Sequence, residues 1–303
     1  MTLPPIFTAE TFALLTGLRA PEGAFPEPYR IAPLTGTAHT KQMIAADKEI
    51  ERAREHVVSG ADRADAWERC WRSVREHFIQ GLNPTLAPPY LHERTLRIDG
   101  QYVLADPRLL AAFQSALVRA LALEHFRGCQ YVIELGCGAG FNLLNLARAG
   151  LDAEKFIGYD RSGAAARAVW AAATRLNLPI EGWCAGDLRV GPPPDIGPES
   201  AILTCGAMEQ LGDAWRPLLA HLIASRPAVV VHIEPLEELY DQDADFLDYL
   251  ALRYHRARGY LSGYLTALRD EAAAGRIKIL AEHRTRFGSA WNDGYSYIVW
   301  RPK

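Results

Sequence analysis

The chain has 303 residues, and its 33 basic and 36 acidic side chains give a formal net charge of −3 at pH 7. This length allows one large domain with an accessory element, and the slightly acidic balance without a dense basic run argues against a nucleic-acid partner. No apolar run approaches the roughly 20 residues of a membrane span. The N-terminus lacks a basic and apolar signal pattern, so we expect a cytoplasmic protein with no membrane partner.

The first hundred residues are punctuated by proline and then become helical in pattern. Two apolar stripes follow a helical period in the segment from about 41 to 78. Their members are Ile50, Ala53, Val57 and Val58 in the first, and Trp67, Trp71, Val74 and Phe78 in the second. We expect residues 1–108 to form a mainly helical cap or accessory region. Its stripes can pack on the core, cover a ligand cleft, or do both.

The segment 132–142 is the most informative part of the chain. An apolar run ends in Glu134 and is followed by glycine at every second position, Gly136, Gly138 and Gly140. This pattern predicts a strand, a tight turn and a helix, which let a nucleotide-like ligand lie against bare backbone. The spacing differs from the dinucleotide fingerprint G-x-G-x-x-G, because Phe141 stands where the third glycine would be.

The form E-x-G-x-G-x-G resembles motif I of the class I S-adenosylmethionine (SAM)-dependent methyltransferases. About twenty residues further on, the run 156–159 ends in Asp160, whose carboxylate can accept hydrogen bonds from both ribose hydroxyls. One unit later, a third apolar run leads to Asp187. The resemblance implies that the Asp187 side chain meets the adenine amino group and that the backbone N–H of Leu188 meets the ring.

The resemblance covers roughly residues 109–303 and implies an α/β fold. The expected sheet has seven strands, mostly parallel with an antiparallel last strand, and carries helices on both faces. Further apolar runs at 201–204, 228–234, 277–280 and 295–300 supply its remaining strands, and Asn292-Asp293-Gly294 predicts a turn between the last two. After the fifth strand, we expect a helical insertion at about 236–276, broken near Gly259.

The resemblance implies SAM as cofactor and S-adenosylhomocysteine as product. We expect the cofactor to be bound at the carboxyl ends of the strands and in the loops that follow them. The expected cofactor residues are Glu134, Gly136, Cys137, Gly138, Gly140, Asn142, Asp160, Arg161, Asp187, Leu188 and Cys205.

Three side chains near the fourth and fifth strands are candidate catalytic groups, since methyl transfer is an in-line displacement that needs alignment and removal of a proton. Strand alternation places His232 and Glu234 on one side, and Glu209 follows the fourth strand. The alternatives are a buried His232 bonded to a neighbouring carbonyl, and glutamates that bind a cationic acceptor or the methionine amine. His232 and Glu234, together with Asp241, match no metal-ligand spacing, so we expect no metal.

The expected acceptor is a small polar metabolite, or a sugar-like or carboxylate-bearing natural-product precursor. Its binding residues are expected to be Met208, Tyr240, Arg253, Tyr254 and His255. Oxygen is the expected nucleophile, although nitrogen, sulfur and carbon stay open, as does a homodimer. A peptide or protein substrate is the main rival, and a non-catalytic SAM-binding protein is the alternative of another class.

Two further motifs narrow these choices. The peptide 83–90 resembles the (Asp/Asn)-Pro-Pro-Tyr motif of amino-methylating relatives, but it has Ala87 at the polar position and lies upstream of motif I, so we expect an ordinary loop. Aminopropyl transferases share the fold, but their acidic motif after the fourth strand is replaced here by Cys205-Gly206-Ala207-Met208.

Overall fold

The computed structural model describes residues 4–55, 63–190 and 196–303. Val57 and Val58 of the first predicted stripe lie outside these ranges. None of the helices in the described ranges is long and apolar enough to cross a membrane. The expected cytoplasmic location and the homodimer stay predictions.

Helices and strands are distributed along the whole described length of the chain. Its N-terminal part contains β1 (Ile6–Phe7), α1 (Ala9–Thr16), β2 (Tyr29–Pro33), α2 (Gly36–Glu55), α3 (Ala64–Ile79), β3 (Thr95–Ile98) and β4 (Gln101–Ala105). The middle part contains α4 (Leu109–His125), β5 (Tyr131–Leu135), α5 (Phe141–Ala147), β6 (Lys155–Asp160), α6 (Gly163–Leu176), β7 (Ile180–Cys184), β8 (Ser200–Cys205), α7 (Arg216–Ser225) and β9 (Val229–Ile233). The last part contains α8 (Phe246–Arg258), α9 (Tyr264–Ala273), β10 (Ile277–His283), β11 (Phe287–Ser289) and β12 (Tyr297–Pro302).

The larger sheet has seven strands in the order β10-β12-β9-β8-β5-β6-β7. Strands β5 to β9 pair in parallel, whereas β12 runs antiparallel to both β9 and β10. This confirms the predicted sheet and its antiparallel last strand. The strand order reverses between β5 and β8, and ligands of open α/β sheets bind beside the carboxyl ends of strands at such a point.

Alternation along the central strands divides the core into two apolar clusters, one on each face of the sheet. In β5, Val132 packs in one cluster while Ile133 and Leu135 pack in the other. In β9, all five residues are buried, as expected for a strand covered on both faces. The sheet is therefore held by packing on both faces at the edge where the predicted cofactor residues lie.

A second sheet of five antiparallel strands, in the order β1-β2-β4-β3-β11, was not predicted. Helical residues still outnumber strand residues in the N-terminal region. Its hairpin of β3 and β4 turns at Asp99 and Gly100, both with positive φ (47° and 73°). Asp-Gly is a strong hairpin signal that the sequence analysis did not use. The domain boundary at residue 108 stays a prediction, and β11 follows it in sequence while pairing with β3.

The insertion after β9 is helical, as expected, and forms two helices, α8 and α9. Asp245 caps α8 by accepting a hydrogen bond from the backbone N–H of Leu247 (2.8 Å), and Gly259 ends it with a left-handed φ of 60°. Arg253 pairs with Asp47 (2.7 Å) and Glu51 (2.8 Å) of α2. The insertion is therefore tied to the N-terminal region across the surface of α8.

A buried ionic cluster joins the second sheet, the insertion and the C-terminal loops. The guanidinium of Arg97 from β3 lies 3.2 Å from Asp248 of α8 and 3.5 Å from Asp293. The guanidinium of Arg284 contacts the same two carboxylates at 2.5 and 2.7 Å. Because two cations meet two anions, the four charges balance while three of them are almost completely removed from water. We call these four residues the ionic quartet.

We predict that Arg97→Leu lowers the free energy of unfolding by about 3–5 kcal/mol, because it leaves buried carboxylates short of one positive charge. The matched control is Arg253→Leu, which breaks an ion pair with half-exposed partners and should cost about 1 kcal/mol or less. Urea unfolding followed by circular dichroism measures both. Equal losses in the two variants would contradict a special role for the quartet.

Candidate active site

The glycine turn after β5 is shaped by close contacts as well as by backbone conformation. Gly136 and Gly138 have positive φ values of 74° and 52°. A Cβ atom on Gly136 would lie 2.4 Å from the Cβ of Ala207, and one on Gly138 would lie 2.8 Å from the indole ring of Trp71. Both positions therefore need glycine, and the turn lies between the loop after β8 and helix α3.

Asp160 at the end of β6 holds this turn in place. Its carboxylate accepts hydrogen bonds from the backbone N–H groups of Gly138 (2.9 Å) and Ser162 (2.8 Å). Burial nevertheless raises the pKa of Asp160. Each carboxylate oxygen has a further lone pair, so both oxygens can still accept a hydrogen bond from a ligand.

A first cavity opens beside the glycine turn. It lies at the carboxyl ends of β5, β6, β7 and β8, at the reversal of strand order. Ten of the eleven predicted cofactor residues line it, and Gly140 instead forms the N-cap of α5. The ten are Glu134, Gly136, Cys137, Gly138, Asn142, Asp160, Arg161, Asp187, Leu188 and Cys205.

Glu134 is the most buried acid in this lining, with 1% of its surface exposed. One carboxylate oxygen accepts a hydrogen bond from the Asn142 side-chain amide (2.7 Å), and the other has no partner among the described residues. Loss of hydration raises the pKa of Glu134 to about 8. An unpaired carboxylate oxygen facing a cavity can accept a hydrogen bond from a cationic ligand.

Asp187 is positioned differently from the expectation. Its carboxylate accepts hydrogen bonds from the guanidinium of Arg189 (2.5 Å) and from the backbone N–H of Arg189 (3.0 Å). Arg161 lies 3.9 Å away, and these partners lower the pKa of Asp187. The carboxylate is at the cavity wall, but a ligand amino group would share it with Arg189.

Helix α3 covers the first cavity. The rings of Trp67 and Trp71 stack with centroids 5.4 Å apart, and both line the cavity. Glu68, on the same helix, accepts hydrogen bonds from the Ser162 hydroxyl (2.5 Å) and the Ala164 backbone N–H (3.0 Å) at the start of α6. A carboxylate is favourable at a helix N-terminus. The helix is therefore fixed over the cleft from its first turns.

A loop after α3 also reaches the cleft. Pro88 and Tyr90 line the first cavity, and Tyr90 also lines a second one. The peptide 83–90 is a loop, as expected, but it contributes a hydroxyl at the boundary between the two cavities. Tyr90 is not among the site residues predicted from the sequence.

A second cavity adjoins the first. Their linings share Trp67, Tyr90, Gln114, Cys205 and Gly206. The N-terminal region, the insertion and the loop between β11 and β12 all contribute to the second lining. The two cavities thus meet at the carboxyl end of β8.

Acids and aromatic rings dominate the second cavity. Desolvation raises the pKa of Glu209 to about 8, and a Tyr260 hydroxyl hydrogen-bonds to it. Burial also raises the pKa of Glu93. The two arginines of the lining, Arg63 and Arg258, lie over aromatic rings. The aromatic rings that line the second cavity are those of Trp67, Tyr90, Tyr254, Tyr260, Trp291 and Tyr295.

His232 lies outside both cavities, in contrast to its expected role as the base. Its side chain is fully buried, and its ring nitrogens contact the hydroxyls of Thr204 (2.9 Å) and Tyr264 (2.8 Å). Burial lowers the pKa of His232 to about 3. A neutral imidazole with both nitrogens occupied has no path to an acceptor, so its placement supports a structural role.

Glu234 is also absent from both cavity linings. Its carboxylate accepts hydrogen bonds from the backbone N–H groups of Ala207 (3.1 Å), Met208 (3.0 Å) and Glu209 (3.2 Å). It therefore holds the loop after β8, and burial raises its pKa to about 7. Of the three candidate catalytic groups, only Glu209 faces a cavity.

Only one of the five expected substrate residues, Tyr254, lines the second cavity. Met208 is 1% exposed and packs in the core, and Arg253 pairs with acids of α2. Tyr240 accepts a hydrogen bond from the backbone N–H of Asp293 (2.8 Å). His255 is buried against Asn292, and burial lowers its pKa to about 3. The expected clamp for a carboxylate is therefore not assembled here.

The described residues contain no group of three or more His, Cys, Asp or Glu side chains placed to hold a metal ion. Several residues of the two linings were missed in the sequence. The residues that were not predicted as site residues are Trp67, Trp71, Tyr90, Glu93, Gln114, Tyr260, Trp291 and Tyr295. The Trp67 and Trp71 stripe and the Pro-Pro-Tyr peptide were the available signals.

No protein-family model and no curated protein matches the chain, but solved structures do. The [4+2]-cyclase SpnF aligns with 81% of this chain and 97% of its own, at 16% identity and a TM-score of 0.52. A SAM-dependent methyltransferase from Aquifex aeolicus aligns over 61% of this chain and 89% of its own (16% identity, TM-score 0.42). An O-methyltransferase from Bacillus cereus in complex with SAH aligns over 76% of this chain and 91% of its own, at 16% identity and a TM-score of 0.42.

The SpnF alignment shows a shared fold. The strand order, with its antiparallel last strand, is that of the class I SAM-dependent methyltransferase fold, as the resemblance implied. Because a fold does not by itself determine a reaction, the activity has to be argued from the two cavities.

Glu134 yields a prediction for the ligand-free protein. Its folded pKa of about 8 lies above its unfolded value of 4.5, so unfolding releases a proton between these pH values and stability falls as pH rises from about 4.5 to 8. Glu134→Gln cannot titrate and should make this fall smaller. Thermal unfolding from pH 5 to 8.5 measures it, with the exposed Glu199→Gln as control. Parallel curves for all three proteins would contradict the prediction.

Proposed function

We propose that the protein is a SAM-dependent methyltransferase that acts on a small molecule bound in the second cavity. One observation carries the proposal: the first cavity, formed by the glycine turn and the strand-end acids, opens into the second at Cys205 and Gly206. A cofactor in the first cavity and an acceptor in the second would meet at this junction, where the methyl group would be transferred.

The residues of the first cavity fit SAM chemically. Asp160 offers lone pairs for the ribose hydroxyls, and Leu188 lies in the wall expected to contact adenine. The unpaired oxygen of Glu134 fits the ammonium of the methionine moiety, since a buried carboxylate is stabilised by an opposite charge. The proposed product is S-adenosylhomocysteine.

We propose a small polar acceptor, such as a metabolite or a sugar-like or natural-product precursor, with a hydroxyl group as nucleophile. The tyrosine hydroxyls and carboxyl groups of the second cavity support an acceptor that donates hydrogen bonds. The case for a carboxylate-bearing acceptor is weaker, because Arg253 and His255 do not line the cavity. Enclosure by the N-terminal region and the insertion supports a small acceptor over a peptide chain.

The chain's own groups suffice to assist the displacement. SAM supplies a methyl group on a positively charged sulfur. With SAM held in the first cavity, the walls of the two cavities would position the acceptor hydroxyl beside the methyl group, and such positioning lowers a barrier by several kcal/mol. Glu209 would take the proton of that hydroxyl as the methyl group passes from sulfur to oxygen. A carboxylate whose pKa is about 8 is a stronger base than an ordinary one.

We predict saturable binding of S-adenosylhomocysteine in calorimetry, weakened about 10- to 100-fold in Asp160→Ala, because charge-assisted hydrogen bonds contribute about 1.5–3 kcal/mol. The matched control is Asp152→Ala, an exposed acid away from both cavities, which should bind like the wild type. Absence of saturable binding to the folded wild-type protein would refute the proposed function.

We predict that Glu209→Gln slows methyl transfer about 10²–10⁴-fold while leaving the affinity for S-adenosylhomocysteine unchanged. Glu49→Gln removes another carboxyl group of the same cavity, one paired with Arg52, and should have a much smaller effect. Transfer of labelled methyl from SAM into small molecules of a cell extract measures both. Label found only in macromolecules would favour the peptide or protein rival.

A further inference from the structure

A chain of four buried side chains connects the two cavities. The Tyr295 hydroxyl donates a hydrogen bond to Gln114 Oε1 (3.0 Å), and Gln114 Nε2 donates to Asn142 Oδ1 (2.9 Å). Asn142 Nδ2 in turn donates to Glu134 Oε1 (2.7 Å). All four residues are less than 9% exposed. Tyr295 lines the second cavity, Glu134 and Asn142 line the first, and Gln114 lines both.

The chain has a direction. Every member donates toward Glu134, which ends it as an acceptor and is thereby favoured as a carboxylate. If Glu134 carried a proton and donated it, both amides would have to turn over, and Tyr295 would become the acceptor of Gln114. Its hydroxyl hydrogen would then be free for the second cavity. Protonation of Glu134 Oε1, the oxygen that faces Asn142, and the orientation of the Tyr295 hydroxyl are thus linked through Asn142 and Gln114.

We propose that Gln114 is a positioning residue that couples cofactor binding to acceptor binding, an inference that rests on the proposed function. Through Asn142, it supports the Glu134 carboxylate that receives the ammonium of the cofactor. Through Tyr295, it presents a hydroxyl oxygen that can accept a hydrogen bond from a second polar group of the acceptor, since the proton of the nucleophile goes to Glu209. A bound cofactor would therefore prepare the second cavity for its ligand.

Helices α4 and α5 have a second side-chain hydrogen bond that is not part of this chain of four. Ser115 donates a hydrogen bond to Asn145 (2.8 Å), next to the Gln114–Asn142 bond but outside both cavity linings. Ser115→Ala is consequently a matched control. It removes a side-chain hydrogen bond between the same two helices without touching the chain of four.

Other titratable groups around Glu134 must be considered in any pH experiment. Asp160 at the end of β6 raises the pKa of Glu134. The remaining neighbours interact with Glu134 through their own charges when ionised. They are Cys137 of the glycine turn, Cys205 of β8 and Tyr90 of the loop after α3, each with its pKa raised by burial.

The test is calorimetric titration with S-adenosylhomocysteine at pH 6 to 9. Wild-type affinity should rise from pH 6 to about 8, because the complex uses the carboxylate while the free protein holds a proton on Glu134. Tyr295→Phe removes only the far end of the chain and a donor that favours this carboxylate. We expect its profile to move to higher pH, with binding 3- to 10-fold weaker at pH 7. Gln114→Met should weaken the binding of S-adenosylhomocysteine further, and Ser115→Ala should bind like the wild type.

A Tyr295→Phe profile that superimposes on those of the wild type and Ser115→Ala would overturn the coupling. Tyr295→Phe keeps the ring and its packing, so it remains informative even if Gln114→Met fails to fold. Wild-type protein that does not bind S-adenosylhomocysteine at any pH would instead remove the proposed function. Binding with methyl transfer but without the shift would remove this inference alone.

Discussion

The ionic quartet is the interaction on which the arrangement of the second cavity depends. Its four charges come from β3, α8 and the loops on either side of β11, which are elements distant in sequence. Buried charges are stable only when all partners are present, so the quartet admits one relative placement of these elements. That placement brings Tyr254, Asn292 and Tyr295 to the wall of the second cavity.

Desolvation sets the protonation of the buried glutamates at the site. Glu134, Glu209 and Glu234 all have raised pKa values, but their hydrogen bonds give them different roles. Glu234 is occupied by three backbone N–H groups, Glu134 keeps one free oxygen, and Glu209 faces the second cavity. Local partners, more than residue type, distinguish a structural carboxylate from one available to a ligand.

The difference between predicted and observed residues has a physical cause. The cofactor residues follow strand ends whose order along one edge is set by local alternation of strands and helices, so Glu134, Gly138 and Asp160 could be found from the sequence. Contacts of Arg253 and His255 depend on how the insertion packs on other elements, which periodicity does not reveal. Alternation placed His232 correctly on a strand face but could not show that the face is closed. The Asp99-Gly100 turn was readable and was overlooked.

The pairing of β3 with β11 has a consequence for biosynthesis. The two strands, Thr95–Ile98 and Phe287–Ser289, lie far apart in the sequence, so a ribosome releases β1 to β4 long before β11 exists. Until then β3 presents an open strand edge, which is a site for wrong pairing, and Arg97 lacks all three of its charged neighbours. The accessory region therefore completes its fold last, although it is made first, and its emergence calls for protection of the nascent chain.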